Sequence, residues 1–106
     1  MALDDIDLAS LDEVIHGRVR LGIMTLLAGD AGVDFSQLKA KLALTDGNLS
    51  VHLRKLEEAG YVAIDKRFVD RKSQTTARIT GSGRAAFIAY LDAMDALVRE
   101  ARSARG

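Results

Sequence analysis

A chain of 106 residues with 15 basic and 15 acidic side chains has no net charge, so its overall charge does not point to a polyanionic partner. The absence of cysteine removes disulfides, thiolate metal sites and redox thiols, and the absence of proline removes a polyproline linker. One domain over 1–106 fits this length, with a core modest enough that a second subunit would help it.

The start, "MALDDIDLASLDE", is acidic where a secretory signal would be basic, and no apolar run approaches the ~18 residues that cross a bilayer. A soluble cytoplasmic protein with no membrane partner is expected. Charge is nevertheless segregated. Residues 1–30 hold six acids against two bases, whereas residues 31–80 hold nine bases against six acids. For steering a polyanion, such zoning matters more than the total.

From Leu8 to about Leu27, the positions Leu8, Leu11, Ile15, Val19, Ile23 and Leu26 recur at steps of three and four, which predicts a helix. "AGDAGV" breaks it. "VDF" is a short extended piece, and Asp34 or Ser36 can cap a brief second helix, "SQLKAKLAL", with Leu38 and Leu42 inward. Thr45 is the expected N-cap of a third helix over 46–59, its side-chain oxygen accepting from the Asn48 N–H. Leu49, Leu53 and Leu56 share one face of that helix, and Gly60 with Tyr61 fits a Schellman close. "YVAIDKRFV" and "TTARIT" are strand candidates, the first with Val62, Ile64 and Phe68 on one parity. "DRKSQ" joins them into a hairpin with a basic tip. Thr80 or Ser82 caps a last helix to about residue 103, whose seam Phe87, Leu91, Met94, Val98 and Ala101 has heptad spacing.

The fold class is therefore mainly α with a small antiparallel β-hairpin: a winged helix-turn-helix with a core of about 11–82. The segments "LDEVIHGRVRLGIMTLL", "FSQLKAKLALTDGNLSVHLRKLEEAGYV" and "RKSQTTARITGSGRAAFIAYL" resemble the small winged-helix transcriptional regulators related to the MarR and ArsR groups. This resemblance implies a third helix that enters the DNA major groove, a wing that touches backbone or minor groove, and terminal helices that pair two subunits. Ser73 stands where such families often place a proline. The Cys and His sets of metal-sensing members are missing, so no metal or other cofactor is expected.

Helical spacing with Leu49 at the core turns Gly47, Val51 and Arg54 outward, with Asn48, Ser50 and Lys55 on the flanks. "TDGN" opens this helix with three poor helix formers, which suits a tip that must come close to a groove floor. Thr45, Gly47, Asn48, Ser50, Val51, Arg54 and Lys55, with Arg71 and Lys72 of the wing 66–78, are the expected DNA-contacting residues. Leu3, Ile6, Leu8 and Leu11 in the segment 1–10, and Phe87, Leu91, Met94 and Val98 in 83–104, are the expected homodimer contacts.

His16 and His52 stand on separate helices without a ligand-spaced partner, so packed, hydrogen-bonded imidazoles are expected. No catalytic constellation or phosphate-binding loop is present, since "TGSGR" lacks the P-loop spacing. The expected function is that of a homodimeric transcriptional regulator binding double-stranded DNA sequence-specifically, open to an undefined small-molecule effector. The alternative is a winged-helix module that binds protein and not DNA.

Overall fold

The computed structural model describes residues 7–29 and 31–104; the expected dimer contacts Leu3 and Ile6 fall outside them. A 3-10 turn at Leu8–Ser10 leads through irregular backbone to α1 (Arg18–Ala28). There follow β1 (Val33–Asp34), α2 (Phe35–Leu42), α3 (Asp46–Glu58), β2 (Val62–Val69), β3 (Lys72–Ile79) and α4 (Gly81–Ser103). The hairpin is joined by β1 into a three-stranded antiparallel sheet of order β1-β3-β2, with Val33 opposite Ala77 and Ile64 opposite Ala77 from the other side. Ile15, Ile23, Met24, Leu27, Leu38, Leu49, Leu53, Leu56, Val62, Phe87 and Tyr90 form one core between the helices and the sheet.

The first helix is shorter than its apolar periodicity predicts. Gly17, at φ 144°, interrupts it, and the Asp12 carboxylate accepts from the Val14 N–H at 2.8 Å, favouring a local turn over helix. The carbonyls this irregular stretch leaves without helical partners are collected by Arg20, whose Nε donates to Val14 O at 2.6 Å and whose Nη2 donates to His16 O at 3.3 Å. Ile15 is still fully buried, so the apolar spacing reaches the core without a helix.

Arg20 also ties α1 to α3, its Nη1 lying 3.0 Å from His52 Nδ1. A guanidinium can only donate, so Nδ1 accepts and the imidazole proton sits on Nε2. Burial, then the positive charges of Arg20 and Lys55, hold the His52 pKa below its ordinary 6.5. His16 Nδ1 lies 2.8 Å from the Tyr90 hydroxyl, joining the pre-α1 loop to α4.

Both ends of α3 are closed as the sequence suggests. Thr45 Oγ1 accepts from the Asn48 N–H at 3.1 Å. At the far end Gly60, at φ 81°, donates to Glu57 O, and Tyr61 donates to Leu56 O at 3.0 Å, the paired bonds of a Schellman motif. Thr80 links this end to α4: its hydroxyl donates to Gly60 O at 2.6 Å and accepts from the Gly83 N–H at 2.9 Å. The two segments meet so closely that a Cβ on Gly83 would overlap Tyr61 O and lie 2.8 Å from its carbonyl carbon.

The heptad seam of α4 is split. Phe87 is 5% exposed and belongs to the core of its own chain, and Met94 packs against that core. Leu91 and Val98 are exposed, as is Ile88, which the seam did not include. Buried residues in α4 stop at Tyr90, so the helix runs on for about 20 Å at 1.5 Å per residue without a buried position. Leu8 is exposed and Leu11 is half-buried against the core. No helix among the described residues is long and apolar enough to cross a membrane.

Gly83→Ala should destabilise the fold by about 3 kcal/mol or more, because the obstacle is backbone and cannot rotate away. Urea unfolding reads this, and an unchanged midpoint would refute the close approach. For His52, the unfolded chain takes up a proton near pH 6.5 while the folded chain resists until a lower pH. Stability should therefore fall as pH drops from about 7 through 6.5 toward the folded-state pKa, and His52→Gln should flatten that part of the pH profile.

Candidate nucleic-acid interface

α2 and α3 are joined by a tight turn in which Ala43 takes the left-handed conformation at φ 54° and the Leu44 N–H donates to Lys39 O at 3.0 Å. This turn brings Lys39 over the start of α3, where its Nζ is 2.8 Å from Asp46 Oδ1. The single acid at the tip of α3 is thus matched by a cation of the preceding helix. It also stands at the end of α3 where the helix dipole favours negative charge.

With Leu49, Leu53 and Leu56 buried, the rest of α3 is turned out. Thr45, Gly47, Asn48, Ser50, Val51, Arg54 and Lys55 are all exposed, and Val51 shows 53% of its surface. An added Cβ at Gly47 would meet nothing within 4 Å, so internal packing does not require the glycine. Its presence in a first helical turn forgoes up to about 1 kcal/mol of helix stability relative to alanine.

A cleft of about 560 Å³ separates α3 from the sheet. Ser50, Arg54 and Glu57 line its helix side, Ile64, Lys66 and Thr75 its sheet side, with Phe35 and Leu53 alongside. A shallower hollow on the opposite flank of α3 gathers Lys55, Glu58, Arg20 and Glu13. Glu57 therefore shares a cleft with Arg54 and Lys66, and Glu58 a hollow with Lys55, Arg20 and Glu13, at the end of α3 remote from its tip.

The hairpin is tighter than "DRKSQ" suggests. β3 begins at Lys72, directly after a two-residue turn in which Asp70 and Arg71 both have positive φ, 49° and 65°. That is the backbone of a type I′ turn, which matches the twist of the flanking strands and normally selects Asn or Gly. Arg71 occupies the left-handed position at a cost of roughly 1–2 kcal/mol and carries its charge to the outermost point of the ribbon. Arg71 and Lys72 are exposed, as are Lys66 and Arg67 on β2.

Phe68 is the residue that parity misjudged. It shares the face of Val62 and Ile64, yet it is 77% exposed, because the ribbon extends past the body of the protein. Only its distance from the core, which alternation does not encode, could have revealed this.

Comparison with known proteins agrees with this architecture. Residues 19–98 match the family model described as a winged helix DNA-binding domain. An uncharacterized protein of Methanocaldococcus jannaschii is 43% identical over 79 residues, covering 74% of this chain and 86% of its own. The solved transcriptional regulator homologue of Pyrococcus horikoshii is 33% identical with a TM-score of 0.73, over 87% of this chain and 96% of its own. A MarR-like regulator of Bacillus cereus shares the fold at a TM-score of 0.69 and 20% identity, over 92% of this chain and 73% of its own. A regulator described for arsenical resistance is also among the structural neighbours, 27% identical with a TM-score of 0.64 over 94% of this chain and 100% of its own. With most of its length inside the family model and a relative this similar, the chain belongs to the winged helix DNA-binding domain family.

Proposed function

We propose that the protein is a homodimeric transcriptional regulator that binds double-stranded DNA sequence-specifically, with α3 in the major groove and the β2–β3 hairpin on the backbone or minor groove. The observation that carries this reading is the exposure of every predicted contact residue on the outer face of α3 above a buried leucine face. On that face Asn48 can pair with adenine, Arg54 with guanine, and Val51 can meet a thymine methyl. Thr45, Ser50 and Lys55 supply phosphate or base contacts, and the narrow tip at Gly47 lets the free N–H groups of the first turn come close. Arg71 and Lys72 supply the contact of the wing.

The dimer reading is supported by α4, whose distal half carries Leu91 and Val98 in solvent beside Ile88. A second copy would cover that stripe, placing two recognition helices about 34 Å apart on a pseudo-palindrome. The 3-10 turn at Leu8–Ser10 packs against α4, so exposed Leu8, with half-buried Leu11 beside it, can extend the same surface. The rival reading, a module that binds only protein, draws on the zero net charge and the acidic first thirty residues.

A mobility-shift titration with random and selected duplexes tests both. If the dimer neutralises roughly eight phosphates, log K should fall against log salt with a slope near −7, at two chains per duplex. Arg54→Ala should lose about 1–3 kcal/mol per half-site on the selected site and relax preference at one base position of each half-site. A protein-only module would retard no duplex even at low salt.

Gly47→Ala should separate stability from binding. The free protein should gain up to about 1 kcal/mol in urea unfolding, since the methyl meets open space. Affinity for the selected duplex should fall nevertheless, because that methyl enters the closest point of approach. Unchanged affinity would remove the reason given for the glycine.

A further inference from the structure

Among the described residues, Phe68 belongs neither to the hydrophobic core nor to the side chains packed against it. It stands on a strand pair beyond the core and is 77% exposed, and across the ladder it faces Ser73, too small to cover a ring. Alternation along β2 puts Phe68 on the same sheet face as Ile64 and Lys66. Those two residues line the cleft opposite Ser50 and Arg54 of α3. The ring is therefore on the recognition-helix side of the sheet, about 13 Å beyond Ile64 at the usual rise per residue. Lys66 stands on the same face as the ring and Arg71 in the turn just beyond it, while Arg67 and Lys72 lie on the opposite face of the ribbon.

An exposed ring within a cationic ribbon, on the side from which a duplex would meet α3, fits a polyanion that also offers apolar surface. Duplex DNA has both, since its phosphates lie beside deoxyribose and the edges of stacked bases, between which an apolar side chain can wedge. We propose that Phe68 is a DNA-contacting residue of the wing, its ring packed against deoxyribose and base surface while the adjacent cations hold the phosphates. This inference rests on the DNA-binding reading above. It adds an apolar contact to a wing otherwise described only by charge. Arginine and lysine set the salt-dependent part of the affinity, and the ring sets a part that salt does not screen.

The chain has no tryptophan, so Phe68→Trp introduces a single indole reporter at this position. In the full-length protein the introduced indole should be open to acrylamide quenching. On addition of a random-sequence duplex of about 30 base pairs, long enough for two half-sites, it should become protected. Phe68→Ala removes two rings per dimer and should weaken binding of the same duplex by at least about tenfold, as expected for the loss of two partly buried apolar contacts, with an unchanged salt slope. Arg71→Ala, which removes one phosphate contact from each of two chains, should instead reduce the slope by about two. Urea unfolding of Phe68→Ala should match the parent, as expected for a side chain buried in nothing.

An indole that stays open in the complex, or Phe68→Ala binding as tightly as the parent, overturns the proposal while leaving the DNA-binding reading intact. Absence of any retardation by the parent protein overturns that reading first. Dissociation of the dimer by Phe68→Ala without DNA, seen by sedimentation, would assign the ring to contact between copies and likewise overturn the proposal.

Discussion

The burial of Leu49, Leu53 and Leu56 on one side of α3 is the constraint on which the candidate interface depends. Each fully buried leucine contributes about 2 kcal/mol, and a rotation of α3 by one residue would replace them with Ser50, Arg54 and Glu57. The rotation of the helix is therefore settled by its inner face, and the composition of its outer face is free to serve another purpose. The ends are held as firmly. Thr45 closes the start, and the Schellman bonds at Gly60 and Tyr61 close the finish. From there Thr80 reaches back to Gly60 O while capping α4, so one threonine joins the end of α3, the end of β3 and the start of α4. The β2–β3 hairpin and α3 thus share one short, bonded junction, and their separation across the cleft follows from it.

Elements with a strong local signal were legible in the sequence. The caps at Thr45 and Thr80, the Gly60 close and the leucine face of α3 depend on residues within a few positions of one another, and all are found where their chemistry predicts. What was not legible depends on distant partners. The periodicity of Leu8, Leu11 and Ile15 is helical, yet the stretch is irregular, because Gly17, the Asp12 turn and the guanidinium of Arg20 supply bonds that a helix would otherwise make. The seam of α4 divides for the same reason: Tyr90, three residues past Phe87, finds His16 and turns that side inward. β3 begins early because both faces of the ribbon tip are wet, so no hydrophobic alternation marks it.

Three positions hold a residue that local energetics disfavours. Gly47 weakens the first turn of α3 although alanine would fit, Arg71 sits left-handed where glycine or asparagine belongs, and Ala43 is left-handed in the turn between α2 and α3. Departures from local preference tend to collect where function constrains the choice. Here two of the three lie at the points of α3 and of the wing that project farthest from the core. Glycine at one gives reach, and arginine at the other carries charge. Ala43 stands between the two helices of the motif, and its small side chain keeps that turn tight.

The acids of α3 then gain a physical account. A protein that met DNA through charge alone would bind every sequence with similar strength, since phosphates carry no sequence information. In this chain Asp46 is matched by Lys39, Glu57 shares the cleft with Arg54 and Lys66, and Glu58 shares its hollow with Lys55 and Arg20. On the proposed reading these carboxylates lower the attraction that any duplex would feel, and they cost little at the correct site because Asp46 is paired with Lys39 and Glu57 and Glu58 stand away from the tip. Discrimination is a difference of affinities, so weakening the nonspecific state raises it as surely as adding a base contact. Zero net charge is then compatible with a DNA-binding role: the cations are placed where a duplex would touch, and the acids keep them from acting at a distance.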